Sequence, residues 1–388
     1  MADEPLLILG VSVRAAAMSA VRAGLRTYAI DLFADRDLAR LCPTVRVDSA
    51  DYPRGLFAAA RSAPPGPWMY TGGLENHPDL IDALAAERPL RGNPGAVLRR
   101  VRDPFAVAAA LAAAGLPVPE VRATPDGLPT DGSWLIKPLG GGGGRGIRPW
   151  RGGRLPPEPH FLQRRIAGTP HSAVFCGNGR EVFLLGVTRQ LVGERRLHAG
   201  PFAWCGNVGP LRLRQGPWAG FLRAGRALAK AFGLRGLFGI DAIVDAAGRV
   251  HPVEVNPRYT GSAEVIEHGS GLALMEMHRL GCEADPGTAW AVDRRLLPPD
   301  GVTAFGKAVL YAERTVTVPD TDDWLPSPDA GFPARADIPH SGETIPAGMP
   351  IATVMVRGTA VRDVTDDLFA AAAELERDLS AVAAGGPA

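Results

Sequence analysis

Apolar positions along the chain switch between two periods, and the switches predict the order of elements. Leu6–Val11 is a short apolar run of buried-strand type. Val13–Ala23 follows with small apolar residues at helical spacing, Ser12 as its predicted N-cap and Gly24 as its stop. Thr27–Ile30 predicts the next strand, closing on Asp31, so the chain opens β–α–β. A helix over Pro53–Arg61 and a strand over Trp68–Thr71 come next. Gly72-Gly73-Leu74-Glu75-Asn76 then stands at that strand's carboxyl end, where open α/β sheets bind ligands. A helix from about Pro104 to Ala114 leads to the strand Trp134–Lys137, which runs into Gly140–Gly144. Residues 151–160 are rich in Pro and Gly and read as loop. Ser172–Cys176 and Glu181–Val187 flank Gly177-Asn178-Gly179, a strong hairpin signal. A helix over 219–232 precedes the strand pair Gly239–Val244 and Val250–Val255, turned at Ala246-Ala247-Gly248. After Pro298-Pro299 the pattern predicts strands near 304–311 and 351–356. A helix over 366–384, capped by Thr365, and a frayed tail at 385–388 close the chain.

Composition narrows the class. The 388 residues carry 42 Lys+Arg against 41 Asp+Glu, a net charge of +1, with 46% hydrophobic residues. That balance fits a globular chain of two or three domains and leaves no basic stripe for nucleic acid. No apolar run approaches the roughly 20 residues a membrane span needs. The acidic start Met1-Ala2-Asp3-Glu4 does not resemble a secretory leader, and the four cysteines (Cys42, Cys176, Cys205, Cys282) lie far apart. A cytoplasmic protein with reduced thiols and neither nucleic-acid nor membrane partners is expected. Lysine occurs only at 137, 230 and 307 among 39 arginines, so each lysine invites the question of why arginine would not serve. Lys230 lies in an amphipathic helix and reads as a solvated charge; Lys137 does not.

Lys137 ends a strand and is followed by Pro138-Leu139-Gly140-Gly141-Gly142-Gly143-Gly144-Arg145-Gly146-Ile147. A cation delivered by a strand, then a loop without side chains, can close backbone N–H groups over anionic oxygens. The order differs from a P-loop, in which the lysine follows the glycines. The turn Gly10-Val11-Ser12-Val13-Arg14 lacks the later glycines of a dinucleotide fingerprint, which disfavours a Rossmann oxidoreductase. Downstream, Glu254 and Asn256 share one face of a strand by the period of two, and Asp241 on the neighbouring strand can share it. Two carboxylates and a carboxamide oxygen form a hard oxygen site suited to Mg²⁺, with Arg258 aimed at the same charge.

These motifs together resemble the ATP-grasp superfamily. Lys137-Pro138 with Gly140–Ile147 looks like the glycine-rich lid loop of biotin carboxylase. Asp241 with Glu254-Val255-Asn256-Pro257-Arg258 looks like the superfamily's magnesium-ligand block. Asp337-Ile338-Pro339, Gly342, Gly348-Met349-Pro350-Ile351 and Thr353 are similar to the branch of ATP-dependent carboligases related to tyramine–glutamate ligases. The resemblance implies an α/β clamp of the ATP-grasp fold. Residues 1–95 would form a Rossmann-like substrate domain and 96–290 the ATP-grasp domain, with its lid at about 125–168 and its metal-binding sheet at 169–290. Residues 291–388 would form a C-terminal domain. Lys137 would contact the nucleotide, and Gly141, Gly142, Gly143, Gly144 and Gly146 would cover its phosphates. Gln163, Arg164 and Ile166 would form the hinge at the adenine, and His171 would meet the ribose. Asp241, Glu254 and Asn256 would hold Mg²⁺, or Mn²⁺ in its place, and Arg258 would be catalytic. The pattern departs from many relatives in having Asp103-Pro104 at a helix start that often carries lysine; Arg102 stands beside it.

The implied activity is an ADP-forming carboxylate–amine ligase acting through an acyl phosphate, with small-molecule carboxylate and amine substrates. Glutamate or another amino acid is the first acid to test, and superfamily precedent points to a homodimer. Among Glu264, Glu267 and His268, which follow the Arg258 loop, Glu264 is the candidate base for the attacking amine, against a plain helix-start reading. Lys307, in an apolar strand, is a further candidate, and Arg14, Glu75 and Asn76 are positioned for the second substrate. His278 reads as a core residue. Two alternatives stand beside this reading. One is a carboxylating enzyme of the biotin carboxylase type; the other is an ATP-binding regulatory protein without catalysis.

Overall fold

A computed structural model describes residues 4–285, 303–327 and 332–384. The 290/291 boundary, the Pro298-Pro299 break and the 385–388 tail therefore lie outside the described residues. Strands β1 (Leu6–Gly10), β2 (Thr27–Asp31), β3 (Thr44–Arg46) and β4 (Trp68–Tyr70) form a parallel sheet in the order β3-β2-β1-β4. Helices α1 (Arg14–Arg22), α2 (Arg36–Leu41), α3 (Arg54–Ser62) and α4 (Pro78–Ala85) connect its strands and lead out of it. The turn after β1 admits only glycine at position 10, because a Cβ there would lie 1.9 Å from the Thr71 hydroxyl oxygen.

Ser12 does not cap α1. The Asp31 carboxylate at the end of β2 accepts the Val13 N–H at 2.7 Å, and the N–H groups of Phe33 and Ala34 at 2.6 and 2.7 Å. Asp31 thereby ties the start of α1 to the end of β2, and the helix takes Val13 as its N-cap with no side-chain cap bond.

Helices α5 (Gly95–Val101) and α6 (Pro104–Ala113) lead to a small antiparallel sheet made of β5 (Val121–Arg122), β6 (Trp134–Pro138), β7 (Arg148–Pro149) and β8 (His160–Arg164). Its outer face buries Trp134, Ile136, Trp150 and Leu162. By the alternation of a strand, Lys137, Phe161 and Gln163 take the other face.

The central sheet has eight antiparallel strands. In chain order they are β9 (Thr169–Asn178), β10 (Val182–Val192), β11 (Trp204–Gly209), β12 (Arg235–Val244), β13 (Val250–Asn256), β14 (Ala304–Tyr311), β16 (Arg335–Ala336) and β18 (Pro350–Gly358). Strands β15 (Val316–Thr317) and β17 (Thr344–Ile345) form a separate ribbon. The spatial order β13-β12-β9-β10-β11-β14-β18-β16 carries the C-terminal strands in the same sheet as the expected metal-binding strands, through the β11–β14 ladder. Strands β14, β16 and β18 therefore extend the central sheet.

Helix α7 (Gln215–Phe232) covers one face, where Phe221, Leu228 and Phe232 meet Phe175, Phe238 and Ile240. On the other face, α8 (Gly261–Ser270) and α9 (Leu274–Glu283) share a core with α1 and β1, so the N-terminal sheet is joined to the clamp by apolar packing. Helix α10 (Val361–Ala384) lies on β14 and β18. It starts four residues before the predicted cap. Thr365 sits inside its first turns, giving its hydroxyl proton to Val361 O at 2.6 Å and accepting Arg189 Nη2 at 2.8 Å.

One buried acid on α8 carries a stability consequence. Burial raises the Glu267 carboxyl to about 7, against the partial relief of Arg22. Its folded value lies above the unfolded one of about 4.3, so ionisation costs stability as pH rises from about 4 to 7. Glu267→Gln is expected to be more stable than the wild type by about 3–4 kcal/mol at pH 8 and equal to it at pH 4, read from denaturant midpoints.

Candidate active site

The glycine loop separates two cavities. The smaller, about 70 Å³, lies between the small sheet, β13 and α6, and is lined by Lys137, Phe161, Gln163, Val253 and Glu254. The larger, about 590 Å³, opens between the N-terminal sheet, the glycine loop and the C-terminal strands. Gly141, Gly142 and Gly144 line the first, and Gly142 and Gly143 the second; Gly146 lines neither. Gly144, at φ +79°, packs so closely on the next segment that a Cβ would meet Phe202 O at 1.8 Å. Trp204 N–H anchors the loop by donating to Gly143 O at 3.0 Å.

Lys137 is buried beneath the loop, its Nζ donating to Gln163 Oε1 at 3.2 Å and Val253 O at 3.1 Å. Register explains that carbonyl. Asp241 pairs with Glu254 but Ala242 with Pro252, so Val253 is the extra residue of a bulge and its carbonyl is free for the lid. Burial lowers the Lys137 pKa, and the nearby Glu254 and Asp241 carboxylates oppose that shift. Arg164, Ile166 and His171 stand outside the lining of this cavity. Arg164 lies at the edge of the small sheet, its N–H on Glu120 O at 2.8 Å. The His171 ring is buried near Phe221 with Nδ1 2.9 Å from Thr169 O, and burial lowers its pKa.

Asp241, Glu254 and Asn256 share one face. Asn256 Nδ2 donates to Asp241 Oδ2 at 3.0 Å, and Asp241 faces Glu254 across the ladder. Burial, then the charge of Glu254, raises the Asp241 carboxyl to about 6. Two half-buried carboxylates held side by side are a charge a divalent cation would relieve, so the donor set fits Mg²⁺. Arg102 supplies a partial counter-charge. Its Nη1 lies 3.0 Å from Glu254 Oε1, while Nη2 donates to Gly141 O at 2.9 Å and Asn76 Oδ1 at 3.2 Å. Arg102 Nε is buried without a partner. Asn76 Nδ2 also donates to Gly140 O at 3.0 Å, so the turn at the end of β4 grips the glycine loop.

Arg258 lies where these parts meet. Its Nε donates to Glu75 Oε1 at 2.8 Å and its Nη2 to Asn256 Oδ1 at 3.2 Å, and it lines the large cavity. Despite burial, the Arg258 charge holds the Glu75 carboxyl below its usual range.

Glu264 is placed as an anchor, not as a proton acceptor. Its carboxylate is buried, takes a short double contact from Arg14, and accepts Lys307 Nζ at 2.7 Å. Arg14 and Lys307 outweigh the cost of burial and hold that carboxyl well below the usual range. A carboxylate stabilised this strongly as the anion is a poor base. Arg14 also bonds Asp337 at 3.0 and 3.2 Å and lies 3.6 Å from Asp37. His278 is a core residue, accepting the Leu237 N–H at Nδ1 (2.9 Å), and burial lowers its pKa to about 4.

Comparisons to known proteins bear on the fold that carries this site. Residues 101–262 match the model of the ATP-grasp domain, and the chain carries that domain within an ATP-grasp fold. Among solved structures it is similar to L-amino acid ligase from Bacillus licheniformis, with a TM-score of 0.68 and 13% identity over 97% of this chain and 98% of that one. N5-carboxyaminoimidazole synthetase from Staphylococcus aureus, complexed with ADP, gives a TM-score of 0.68 at 13% identity, covering 95% and 97%. The biotin carboxylase domain of the Hydrogenobacter thermophilus 2-oxoglutarate carboxylase, in complex with MgADP, ADP and bicarbonate, gives 0.68 at 16% identity, covering 94% and 89%. No curated protein matches the chain by sequence. Among the described residues, no helix is long and apolar enough to cross a membrane.

Proposed function

We propose that the protein is an ATP-dependent, ADP-forming carboxylate–amine ligase. The observation that carries this reading is the junction at Arg258, one guanidinium bonded to both Asn256 of the metal-ligand face and Glu75 of the N-terminal sheet, at the wall of the large cavity. The L-amino acid ligase of the same fold supports it by analogy. Magnesium held by Asp241, Glu254 and Asn256 would neutralise phosphate charge as it develops. Lys137 and the backbone of Gly141, Gly142 and Gly144 orient the nucleotide. A carboxylate oxygen from the large cavity attacks the γ-phosphorus; the bond to the β-phosphate oxygen breaks and ADP leaves. The amine nitrogen, as the free base, then attacks the acyl carbon, the acyl carbon–phosphate oxygen bond breaks, and the nitrogen's surplus proton leaves with the inorganic phosphate. Arg258 stabilises the negative charge of both steps, and the closed glycine loop excludes water. The smaller cavity lies far below the roughly 300–1,000 Å³ of small-molecule sites, so nucleotide entry requires the small sheet to swing outward, breaking the Arg102–Gly141 bond.

The test is ATP turnover with Mg²⁺ across a panel of amino acids and dicarboxylates, with hydroxylamine as surrogate amine. A hydroxamate formed with one acid supports the ligase. ADP formation with bicarbonate alone replaces it with the carboxylating reading, and ATP binding without turnover across the panel counts against catalysis.

A further inference from the structure

The large cavity contains one buried charge that the protein leaves unanswered. Asp337 at its wall is bonded to Arg14 and Thr353, Glu343 to Arg46, Arg258 to Glu75 and Lys307 to Glu264. Arg145 is exposed to solvent. Asp35 lines the same cavity at 7% exposure, and no side chain or backbone group among the described residues bonds its carboxylate. It precedes α2 at the N-cap position, where an aspartate ordinarily accepts a helix N–H, yet it makes no such bond. The residue before it, Ala34, is held at φ +50°, a conformation non-glycine residues adopt at a cost.

The surrounding charges make the position harder to keep, not easier. Asp31, Asp37 and Asp337 all lie near enough to repel Asp35; Arg14, the cation whose charge reaches it, is already shared among Asp37, Asp337 and Glu264, and the adjacent Arg36 is bonded to Thr321 and Asp322. Asp31 and Asp37 are satisfied by backbone N–H groups, three for Asp31 and two for Asp37, so they need no cation of their own. A carboxylate that is buried, uncapped and repelled by its neighbours costs stability unless something in the cavity completes it. Phe33, Trp204, Tyr311, Met349 and Ile351 give the same cavity an apolar wall.

We propose that Asp35 is the counter-ion for a cationic nitrogen of the cavity's ligand, and that this ligand is an organic amine with an apolar body. The assignment rests on the ligase reading for its role, as recognition of the amine substrate, but not for its binding chemistry. Asp35 is here a specificity residue: it accepts charge-assisted N–H bonds from the ammonium group, while the apolar wall takes the carbon skeleton.

The test is direct binding to the full chain by calorimetry, using matched pairs of alkyl and arylalkyl primary amines and the alcohols of equal length. Amines are expected to bind at least about tenfold more tightly than their alcohols, and Asp35→Asn to abolish that preference while MgATP affinity stays within about twofold. The same substitution is expected to raise the melting temperature at pH 7, because it removes a buried charge with no partner. A purely structural aspartate would do the reverse. Equal affinity for amines and alcohols, a preference that survives Asp35→Asn, failure of every amine to bind, or a variant that melts lower or does not fold would each overturn the proposal. Asp35-dependent amine binding without hydroxamate formation would keep the subsite and remove the ligase reading; hydroxamate formation without it would do the opposite.

Discussion

Glu254→Gln is expected to lower ATP turnover about a thousandfold while the melting temperature stays within a few degrees of the wild type. The loss corresponds to about 4 kcal/mol of transition-state stabilisation, the scale of removing a charged ligand from a metal that neutralises a transferring phosphoryl group. The fold should tolerate the change because Glu254 is 28% exposed, and the carboxamide oxygen can still accept Arg102 Nη1. Removing its charge also relieves the repulsion felt by half-buried Asp241. Steady-state kinetics with varied Mg²⁺, beside a thermal melt, checks both halves. Unchanged turnover with unchanged metal dependence would sink the assignment of Asp241, Glu254 and Asn256 as ligands.

The largest effect on stability is expected from Glu264→Gln. Arg14, Glu264 and Lys307 have side-chain exposures of 1%, 2% and 5%, so all three charges are out of water. With Glu264 neutral, Arg14 keeps Asp337 and Asp37, but Lys307 loses its ion pair and keeps the more distant charge of Asp337 and the face of Trp204, 5.6 Å from the ring centroid. An uncompensated buried ammonium costs about 3–5 kcal/mol, or on the order of 10 °C in melting temperature for a chain of this size. Because the folded Glu264 carboxyl lies below its unfolded value, its contribution is fully present above about pH 4.3 and fades as pH falls toward the lowered folded value. The penalty of Glu264→Gln should therefore be constant from pH 6 to 8 and shrink in acid. Adding Lys307→Met should recover much of the loss. A single variant that melts with the wild type would contradict the pairing.

The two predictions draw on very different depths of sequence information. The face shared by Glu254 and Asn256 follows from a period of two within one strand, and Asp241 from the strand it turns into, so that face was legible from spacing alone. The hairpin over β9 and β10 was legible for the same reason, its turn glycines lying between two apolar runs. The Arg14–Glu264–Lys307 cluster joins residues 43 and 250 positions apart, and nothing local distinguishes a buried Glu264 from the start of an ordinary helix. That is why Glu264 read as a candidate base. The cap on α1 failed similarly: Ser12 satisfied the local rule, but the helix starts one residue later, with Val13 at its N-cap and the Val13 N–H tied to Asp31 of the next strand. Asp35 went unnoticed, although the acid spacing Asp31, Asp35, Asp37 just after a strand end was a visible signal. The joining of the C-terminal strands to the central sheet depends on β11, a glycine-containing strand with little apolar alternation, which the pattern did not reveal.

The central claim is that ATP is spent on a carboxylate through its γ-phosphate. The most direct measurement is a phosphorus NMR spectrum of the protein turning over MgATP with the acid and amine that support the fastest reaction. ADP and inorganic phosphate are expected in amounts equal to the amide formed. AMP and pyrophosphate would mean attack at the α-phosphate and an acyl adenylate, and would contradict it.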